Sequence, residues 1–275
     1  MSNQIITGEK IQQLCNVYFG FREDFDFNPV IKNQRKKQFI LNNLNIEFNN
    51  PYFVFCYSHR IKELSNKIHL FKNRFVLITH NSDGEIRDEL ETLKILNCSN
   101  LDKWYSQNIC FEHDKLYFLP IGIANSQWSH GNINIFNSDT VLNNSCNKTK
   151  GIYFNFNIDT NRIKRGTCFE SLKNKLVWLN NVSPSENIVR LSQYKFCICP
   201  EGNGVDTHRL WEALYLKTVP IVIKSEFTNI LQKNNVPLVI LNNWDELCET
   251  NLDYNNYDFN NDNFVKISKF YKILL

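Results

Sequence analysis

The chain has 275 residues, of which 43% are hydrophobic and 21% charged, enough for one large domain or two ordinary ones with substantial cores. The net charge of +3 is too small to indicate a nucleic-acid or membrane partner, and no apolar run approaches the ~20 residues of a membrane span. The nine cysteines are scattered without metal-ligand spacing, which favours reduced, buried thiols in a cytoplasmic protein.

The N-terminal half alternates between apolar runs of strand length and longer helical patterns. The first 50 residues are weakly patterned, and we predict helices there over 5–19 and 32–41. Beyond them the patterns sharpen: the predicted strands are 52–57, 75–79 and 116–119, and the predicted helices are 61–70 and 85–96. This alternation predicts an α/β domain over residues 1–140.

The C-terminal half repeats the alternation after an Asn- and Ser-rich stretch, 132–150, which we predict to be an interdomain linker. Ser183, Pro184 and Glu186 fit the N-cap, N1 and N3 positions of a helix start. The predicted second domain, 141–275, contains strands at 151–157, 176–179, 196–199, 219–223 and 238–241, and helices at 160–172, 183–193, 226–233, 244–250 and 264–275.

One stretch, 196–223, has the pattern of a strand, a glycine-bearing loop, a helix and a second strand, which is a βαβ unit. Gly202 and Gly204 give the loop a backbone that can approach a ligand closely, and Asp206 or Thr207 can cap the helix. In an open α/β sheet, ligands bind where such a loop follows the carboxyl end of a strand, and the helix start attracts anions.

Side chains with chemistry are concentrated in this loop and in the first turns of its helix: Glu201, Asn203, Asp206, Thr207, His208, Arg209 and Glu212. Arg209 can pair with a diphosphate, and Glu212, on the same helical face, can accept hydrogen bonds from the vicinal hydroxyls of a ribose. The competing interpretation is a glycine-rich turn followed by a solvated polar helix start, because isolated glycine patterns are weak signals.

Three segments carry a resemblance to a known family: Cys199-Pro200-x-Gly202-x-Gly204, Arg209-Leu210-x-Glu212-Ala213-Leu214 and Pro220-Ile221-Val222. Together they resemble the nucleotide-sugar-binding segment of exostosin-type glycosyltransferases. Within that family, the sequence is most similar to the short enzymes encoded by large DNA viruses of algae and amoebae. The resemblance implies a GT-B fold: two facing Rossmann-like domains, the active site in the cleft, and a final helix that crosses back to the first domain. It also implies donor binding through Glu201, Gly202, Asn203, Gly204, Asp206, Thr207, His208, Arg209, Glu212 and Arg162.

Two departures from the family pattern affect these expectations. The family usually has glycine at the position of Lys217, so we expect the helix to end in a different C-cap here. The paired glutamates of many GT-B enzymes are more closely spaced than Glu201 and Glu212 are. Only Glu212 is therefore assigned as the ribose ligand.

Polar groups follow three strands of the predicted first domain: Ser58-His59-Arg60, His80-Asn81-Ser82-Asp83 and the segment 125–130. Because the carboxyl ends of parallel strands share one edge, we expect these groups to gather there. The second string, and Pro120-Ile121-Gly122-x-Ala124-Asn125-Ser126-x-Trp128, are similar to acceptor-side loops of the viral enzymes, which implicates Asn81, Ser82, Asn125 and Trp128. The alternatives are an ordinary Asn-Ser-Asp-Gly turn, a structural histidine and a core tryptophan.

The resemblance implies an inverting transfer of a sugar from a nucleotide-sugar donor, expected to be a UDP-sugar such as UDP-xylose, to a hydroxyl of an oligosaccharide or glycoprotein glycan. The diphosphate would be held by Arg209, the helix start and Arg162 or Arg165, and the acceptor's proton would pass to Asp83 or, as second choice, His80. The resemblance also implies no metal and no cofactor, because GT-B enzymes generally hold the diphosphate with protein groups. The alternative is a non-catalytic protein that binds nucleotide sugars or glycans. A dehydrogenase is excluded, because it would need a Gly-x-Gly-x-x-Gly near the first strand, which the sequence lacks.

Overall fold

The computed structural model describes residues 4–15, 17–21, 38–39 and 52–259. The chain divides into two compact units. One is Thr7–Ile121, and the other, called here the C-terminal unit, combines the residues up to Ile6 with those from Gly122 onward. Both are α/β units built on a parallel sheet. The boundary predicted between residues 140 and 141 lies further along the chain than this division.

The segment before Thr7 is held in the C-terminal unit by hydrogen bonds on both sides of Ile6. The Ile6 N–H donates to the Tyr215 hydroxyl at 2.8 Å, and its carbonyl accepts from the Ile123 N–H at 2.9 Å. Gly122 has a φ of +68°, and a Cβ there would lie 2.3 Å from the Ile6 carbonyl oxygen. Only glycine satisfies both the backbone angle and the close approach.

The Thr7–Ile121 unit contains a six-stranded parallel sheet in the order β2-β1-β3-β4-β5-β6. The order reverses between β1 and β3, which is the kind of switch point at which doubly wound sheets bind ligands. The elements are α1 (Gly8–Leu14), β1 (Val17–Phe19), β2 (Gln38–Phe39), β3 (Tyr52–Cys56), α2 (Ile61–Lys67), β4 (Phe75–Thr79), α3 (Leu90–Leu96), β5 (Leu101–Ser106) and β6 (Leu116–Phe118).

The strands of this unit are apolar runs covered on both faces. All five residues of β4 are buried, and Val54, Phe55 and Cys56 of β3 are fully buried. Continuous apolar sequence of this kind is what a parallel strand between two helical layers requires. The strands predicted at 52–57, 75–79 and 116–119 are therefore confirmed, as is the helix predicted at 61–70, which ends in a 3-10 turn.

Two helix predictions in this unit are corrected. The range 5–19 contains the short helix α1 followed by strand β1, because the buried run Val17–Phe19 pairs with β3. The range 85–96 becomes helical only at Leu90, since Ile86 forms a strand-like bridge with Ile109. The helix predicted over 32–41 lies outside the described residues except for Gln38–Phe39, which form β2.

The C-terminal unit contains a four-stranded parallel sheet in the order β10-β9-β8-β7, so strands that follow each other in sequence are neighbours. Short 3-10 helices occur at Ile133–Asn137, Ile158–Thr160, Trp244–Cys248 and Tyr254–Asn256. The main elements are α4 (Asp139–Cys146), β7 (Lys150–Tyr153), α5 (Arg162–Leu172), α6 (Pro184–Leu191), β8 (Tyr194–Ile198), α7 (His208–Tyr215), β9 (Val219–Ile223), α8 (Glu226–Lys233) and β10 (Val239–Leu241).

One face of this sheet packs against α5 and the 3-10 helix at 244–248. Phe196, Ile198 and Ile221 contact a cluster that includes Leu172 and Trp244. The start of α6 agrees with its predicted cap, since the Ser183 hydroxyl accepts from the Glu186 N–H at 3.3 Å. No helix in the described part of the chain combines the length and the apolar character needed to cross a bilayer.

The linker and one of the strands predicted for this unit are wrong. The stretch 132–150 is not an irregular linker, since it folds into a 3-10 helix and α4. The range 176–179 is not a strand: it inserts Trp178 edge-on between Phe154, Phe156 and Phe169, with ring centroids 4.8–5.2 Å apart. The helix predicted at 264–275 lies outside the described residues.

Helix α7 ends in a Schellman motif with a lysine in the left-handed position. Lys217 has a φ of +56° and donates from its N–H to the Leu214 carbonyl at 3.0 Å, while the Thr218 N–H donates to the Ala213 carbonyl at 2.8 Å. These are the two bonds of that motif, which glycine usually completes. The expectation of a different C-cap is therefore wrong, because the lysine adopts the glycine conformation.

We expect Lys217→Gly to raise the free energy of unfolding by about 0.5–1 kcal/mol, because glycine removes the left-handed strain at some cost in unfolded-state entropy. Chemical denaturation measures it. The matched control is Asn235→Gly: Asn235 has a φ of +57° and completes the same motif at the end of α8. Asparagine tolerates this conformation, so its gain should be smaller. A Lys217→Gly variant no more stable than the parent would contradict the argument.

Lys148 lies at the edge of the four-stranded sheet where the strands begin. Its ammonium donates to the Ser192 carbonyl at 2.9 Å and to the Thr218 hydroxyl at 2.8 Å. Burial is the main cause that lowers the pKa of Lys148 to about 7. An unfolded lysine has a pKa near 10.4. Between about pH 7 and 10.5 the unfolded chain therefore binds more protons at this residue than the folded one.

It follows that this lysine makes the free energy of unfolding rise with pH across that window. We expect Lys148→Met to flatten the rise, measured as the difference between parent and variant in denaturation curves from pH 7 to 10. Lys150→Met, at an exposed lysine two residues away, serves as the control. Equal pH slopes in parent and Lys148→Met would show that Lys148 is charged normally in the folded state.

Candidate functional site

The loop between β8 and α7, residues 199–207, is fixed by hydrogen bonds from three directions. The Gly202 N–H donates to the Gly204 carbonyl at 3.1 Å, and the Asn161 side chain donates to the Gly202 carbonyl at 2.7 Å. Asp206, which is buried, accepts from the Trp211 indole N–H at 2.6 Å. The loop therefore has a defined shape, and the Asp206 carboxylate serves to hold it.

The loop delivers the chain to the N-terminus of α7. Thr207 occupies the N-cap position, and its side chain makes no capping hydrogen bond. The Thr207 side chain therefore does not neutralise the positive end of the helix dipole. The next residue, His208, donates from Nδ1 to the Gly122 carbonyl at 2.8 Å, which fixes the ring beside the helix start.

A cavity of about 360 Å³ opens where β8, β9 and β10 end. This volume lies within the range of roughly 300–1,000 Å³ usual for small-molecule sites, and the position is that of ligands in parallel sheets. Its lining residues are Ile163, Lys164, Thr167, Ser171, Cys199, Pro200, Glu201, Val205, Thr207, Leu210, Val222, Ile223, Lys224, Ser225, Phe227, Thr228, Asn242, Asn243, Trp244 and Asp245.

Of the donor-binding residues predicted from sequence, Glu201 and Thr207 line this cavity. Glu201 also pairs with Lys164 across its rim at 3.2 Å. Sequence reasoning missed the polar residues that follow β9 and β10, among them Ser225, Asn242 and Asn243. The signal that points to them is the gathering of polar groups at the carboxyl ends of parallel strands, the same signal as in the N-terminal half.

Arg209 and Glu212 form a largely buried ion pair, with Arg209 Nε 3.0 Å from Glu212 Oε2. Arg209 Nη1 also donates to the Asn155 carbonyl at 2.6 Å, and its guanidinium lies 5.6 Å from the Tyr153 ring centroid. Burial, the largest single cause, acts to lower the pKa of Arg209, but Glu212 together with Cys197, Tyr153 and Cys199 outweighs it and the pKa is raised. The pair ties α7 to the end of β7, and neither residue lines the cavity. Their assignments to diphosphate and ribose stay predictions.

Arg165 contacts the backbone of the loop directly. Its Nε donates to the Glu201 carbonyl at 3.0 Å and its Nη1 to the Asn157 carbonyl at 2.8 Å. Within the described residues no carboxylate pairs with it. Burial, followed by the nearby charge of Arg209, lowers the pKa of Arg165 to about 10, so it carries a full charge at neutral pH. By contrast Arg162, the residue predicted for this role, is exposed and pairs with Asp159 at 2.8 Å.

In the Thr7–Ile121 unit, the polar ends of β3 and β4 meet as predicted. His59 Nδ1 lies 3.2 Å from the Ser82 hydroxyl. Two side chains that follow β5 hold the same loop: Gln107 accepts from the Asn81 N–H at 3.0 Å, and Asn108 donates to the Ser82 carbonyl at 3.1 Å. Asp83 is exposed beyond these fixed residues. The predicted gathering of these two strand ends is confirmed.

The two predicted base candidates differ in access. His80 is fully buried, with Nε2 2.9 Å from the Pro120 carbonyl oxygen and Nδ1 3.3 Å from the Asn81 amide oxygen. Such a ring is engaged within the fold, whereas the Asp83 carboxylate faces solvent. Geometry therefore ranks Asp83 first.

Asn125 and Trp128, predicted on the acceptor side, belong to the C-terminal unit. The alternative that Trp128 is a core residue is wrong, since it is 56% exposed.

A comparison of the sequence with models of known protein families finds no match, and a search of curated proteins finds none either. Among the residues that the structure describes, no group of three or more His, Cys, Asp or Glu side chains could hold a metal ion.

Proposed function

We propose that the protein is an inverting glycosyltransferase of GT-B-like fold that transfers a sugar from a UDP-sugar, for example UDP-xylose, to a hydroxyl of an oligosaccharide or glycoprotein glycan in the cytoplasm. The observation that carries the proposal is the pairing of a ligand-sized cavity with a cation, Arg165, at the same loop. The cavity lies at the carboxyl ends of β8, β9 and β10, and Arg165 contacts the adjoining loop with no carboxylate partner among the residues that the structure describes.

The donor's nucleoside fits the chemistry of the cavity walls. Leu210, Phe227 and Trp244 supply apolar surface, while Asn242 and Asn243 supply amides that can hydrogen-bond a base. A nucleoside seated there places its diphosphate toward the loop 199–207 and the start of α7. Two features attract the negative charge: the Arg165 guanidinium and the helix N-terminus that lacks a side-chain cap.

The proposed reaction is a direct displacement at the anomeric carbon. The acceptor's hydroxyl oxygen forms the new bond, the bond from the anomeric carbon to the diphosphate oxygen breaks, and the hydroxyl proton passes to the Asp83 carboxylate. Charge that develops on the diphosphate is stabilised by Arg165 and the helix start. The proposal includes no metal ion and no cofactor, because these groups take the place of a cation at the leaving group.

The first test removes the charge of Arg165. We expect Arg165→Gln to weaken UDP binding by about 1.5–3 kcal/mol, the usual range for a lost charge-assisted hydrogen bond, in isothermal titration calorimetry. Arg162→Gln is the matched control on the same helix, because Arg162 is exposed and pairs with Asp159. Arg209→Ala is less suitable, since it leaves the largely buried Glu212 carboxylate without its partner.

Thermal unfolding of both variants verifies that the fold is intact. If Arg165→Gln binds UDP as the parent does, the diphosphate lies elsewhere. If Arg162→Gln alone loses affinity, the role returns to the residue predicted from sequence.

The second test concerns the base. We expect Asp83→Asn to reduce turnover by about 10²–10⁴-fold while leaving UDP affinity unchanged, because the amide keeps the shape but cannot take a proton. Turnover is measured as UDP released in the presence of acceptor. Asp88→Asn, at another exposed carboxylate of the same segment, is the control. Normal turnover in Asp83→Asn would place the base elsewhere, with Glu201 and His208 next to be tested.

The alternative is a protein that binds a nucleotide sugar or a glycan without catalysis. One observation favours it: of the two predicted bases, His80 is buried and engaged, which leaves Asp83 for the role. A chain that binds UDP-sugar at the Arg165 site but releases no UDP, with or without acceptors, would select this alternative.

A further inference from the structure

The loop 124–131 of the C-terminal unit presents the one tryptophan of the chain that is mostly exposed. Trp128 is 56% exposed, whereas Trp104 and Trp211 are fully buried, Trp244 is nearly so, and Trp178 packs in an aromatic cluster. Folding leaves large aromatic rings in water only at a cost, because their burial is a main source of stability. A ring left exposed in this way calls for an explanation.

The ring is held in place by its loop. The Trp128 N–H donates to the Asn125 carbonyl at 3.0 Å, and the Trp128 carbonyl accepts from the Gly131 N–H at 2.8 Å. A Cβ at Gly131 would lie 2.0 Å from the Asn125 carbonyl oxygen, so the two turns close tightly on each other. Ile123 and Ala124, fully buried, anchor the loop. The exposed indole is therefore presented by a fixed backbone.

Histidine rings extend the surface from Trp128 toward α7. His130 is stacked on Trp128, with centroids 6.4 Å apart and planes at 22°. The His130 ring also meets His208, the first residue of α7, edge-on at 6.1 Å. The exposed rings of Trp128 and His130 therefore connect through His208 to the helix start next to the loop 199–207.

The composition around this face identifies the kind of molecule that fits it. Residues 125–131 are Asn-Ser-Gln-Trp-Ser-His-Gly, with amides, hydroxyls and an imidazole but no lysine, arginine or carboxylate. A nucleic acid needs cations for its phosphates, and a protein interface needs a wider apolar patch than one ring. A sugar ring needs an aromatic face for its C–H groups, which the negative face of the ring attracts, and neutral hydrogen-bonding groups for its hydroxyls.

We propose that Trp128 and His130 form a binding platform for one ring of a neutral oligosaccharide. The identification of this oligosaccharide as the acceptor rests on the proposed function. The binding itself depends only on the loop 124–131 and its neighbours in the C-terminal unit.

The experiment probes the full-length chain on an array of neutral, sialylated and sulfated oligosaccharides, followed by calorimetry with the neutral oligosaccharide that binds best. We expect Trp128→Ala to weaken that binding at least about tenfold and Trp128→Phe to weaken it less, since the phenyl ring keeps part of the stacking face. Val177→Ala, at another exposed apolar residue of the same unit, should bind as the parent does. UDP affinity should be unchanged in all three variants.

The proposal is overturned if the parent binds no oligosaccharide, if it binds only charged ones, or if Trp128→Ala binds as tightly as the parent. Thermal unfolding of each variant excludes a general loss of fold, and Trp128→Phe keeps the test valid if the alanine variant is unstable. Trp128-dependent oligosaccharide binding without any UDP-sugar binding would keep the platform and reject the proposed transferase. UDP-sugar turnover with no role for Trp128 would do the reverse.

Discussion

Parallel strand pairing is the constraint from which the rest of this structure follows. All ten described strands pair in parallel within their own sheets, so each connection must return the chain to the starting edge. The carboxyl ends therefore collect at one edge of each sheet. At that edge in the C-terminal unit, Glu201, Ser225 and Asn242 come from three different connections and line one cavity. Polar side chains from separate connections meet there because the parallel topology brings those connections to the same edge.

The elements that sequence predicted best are those whose signals are purely local. Strands β4 and β9 and helix α8 have the predicted bounds, because an apolar run between turn residues or a serine cap decides them without help from distant residues. The failures have tertiary causes. The range 176–179 has strand composition, yet Trp178 finds three aromatic partners that no local pattern reveals. Ile86 similarly pairs with Ile109 instead of continuing a helix.

The candidate site was predictable in location but not in its internal pairing. Glycines between a strand and a helix indicated the loop, and the structure fixes that loop beside a cavity. The spacing of Arg209 and Glu212, three residues apart on a helix, fits two side chains aimed at a ligand, and equally two side chains aimed at each other. Burial decides between these, and burial depends on how β7 and α7 pack. Arg165 became prominent for the same reason, since its contacts with the loop, and the absence of a carboxylate partner within the described part of the chain, are visible only in three dimensions.

The position of Ile6 sets an order of events during synthesis. Its backbone is hydrogen-bonded to Ile123, more than a hundred residues later in the chain, and to Tyr215, more than two hundred residues later. The ribosome must therefore complete the whole of Thr7–Ile121 before Ile6 can meet either partner. Since compact units fold as they emerge, Thr7–Ile121 forms before Ile6 meets its partners. The C-terminal unit closes last, around a residue that is made before the whole of Thr7–Ile121.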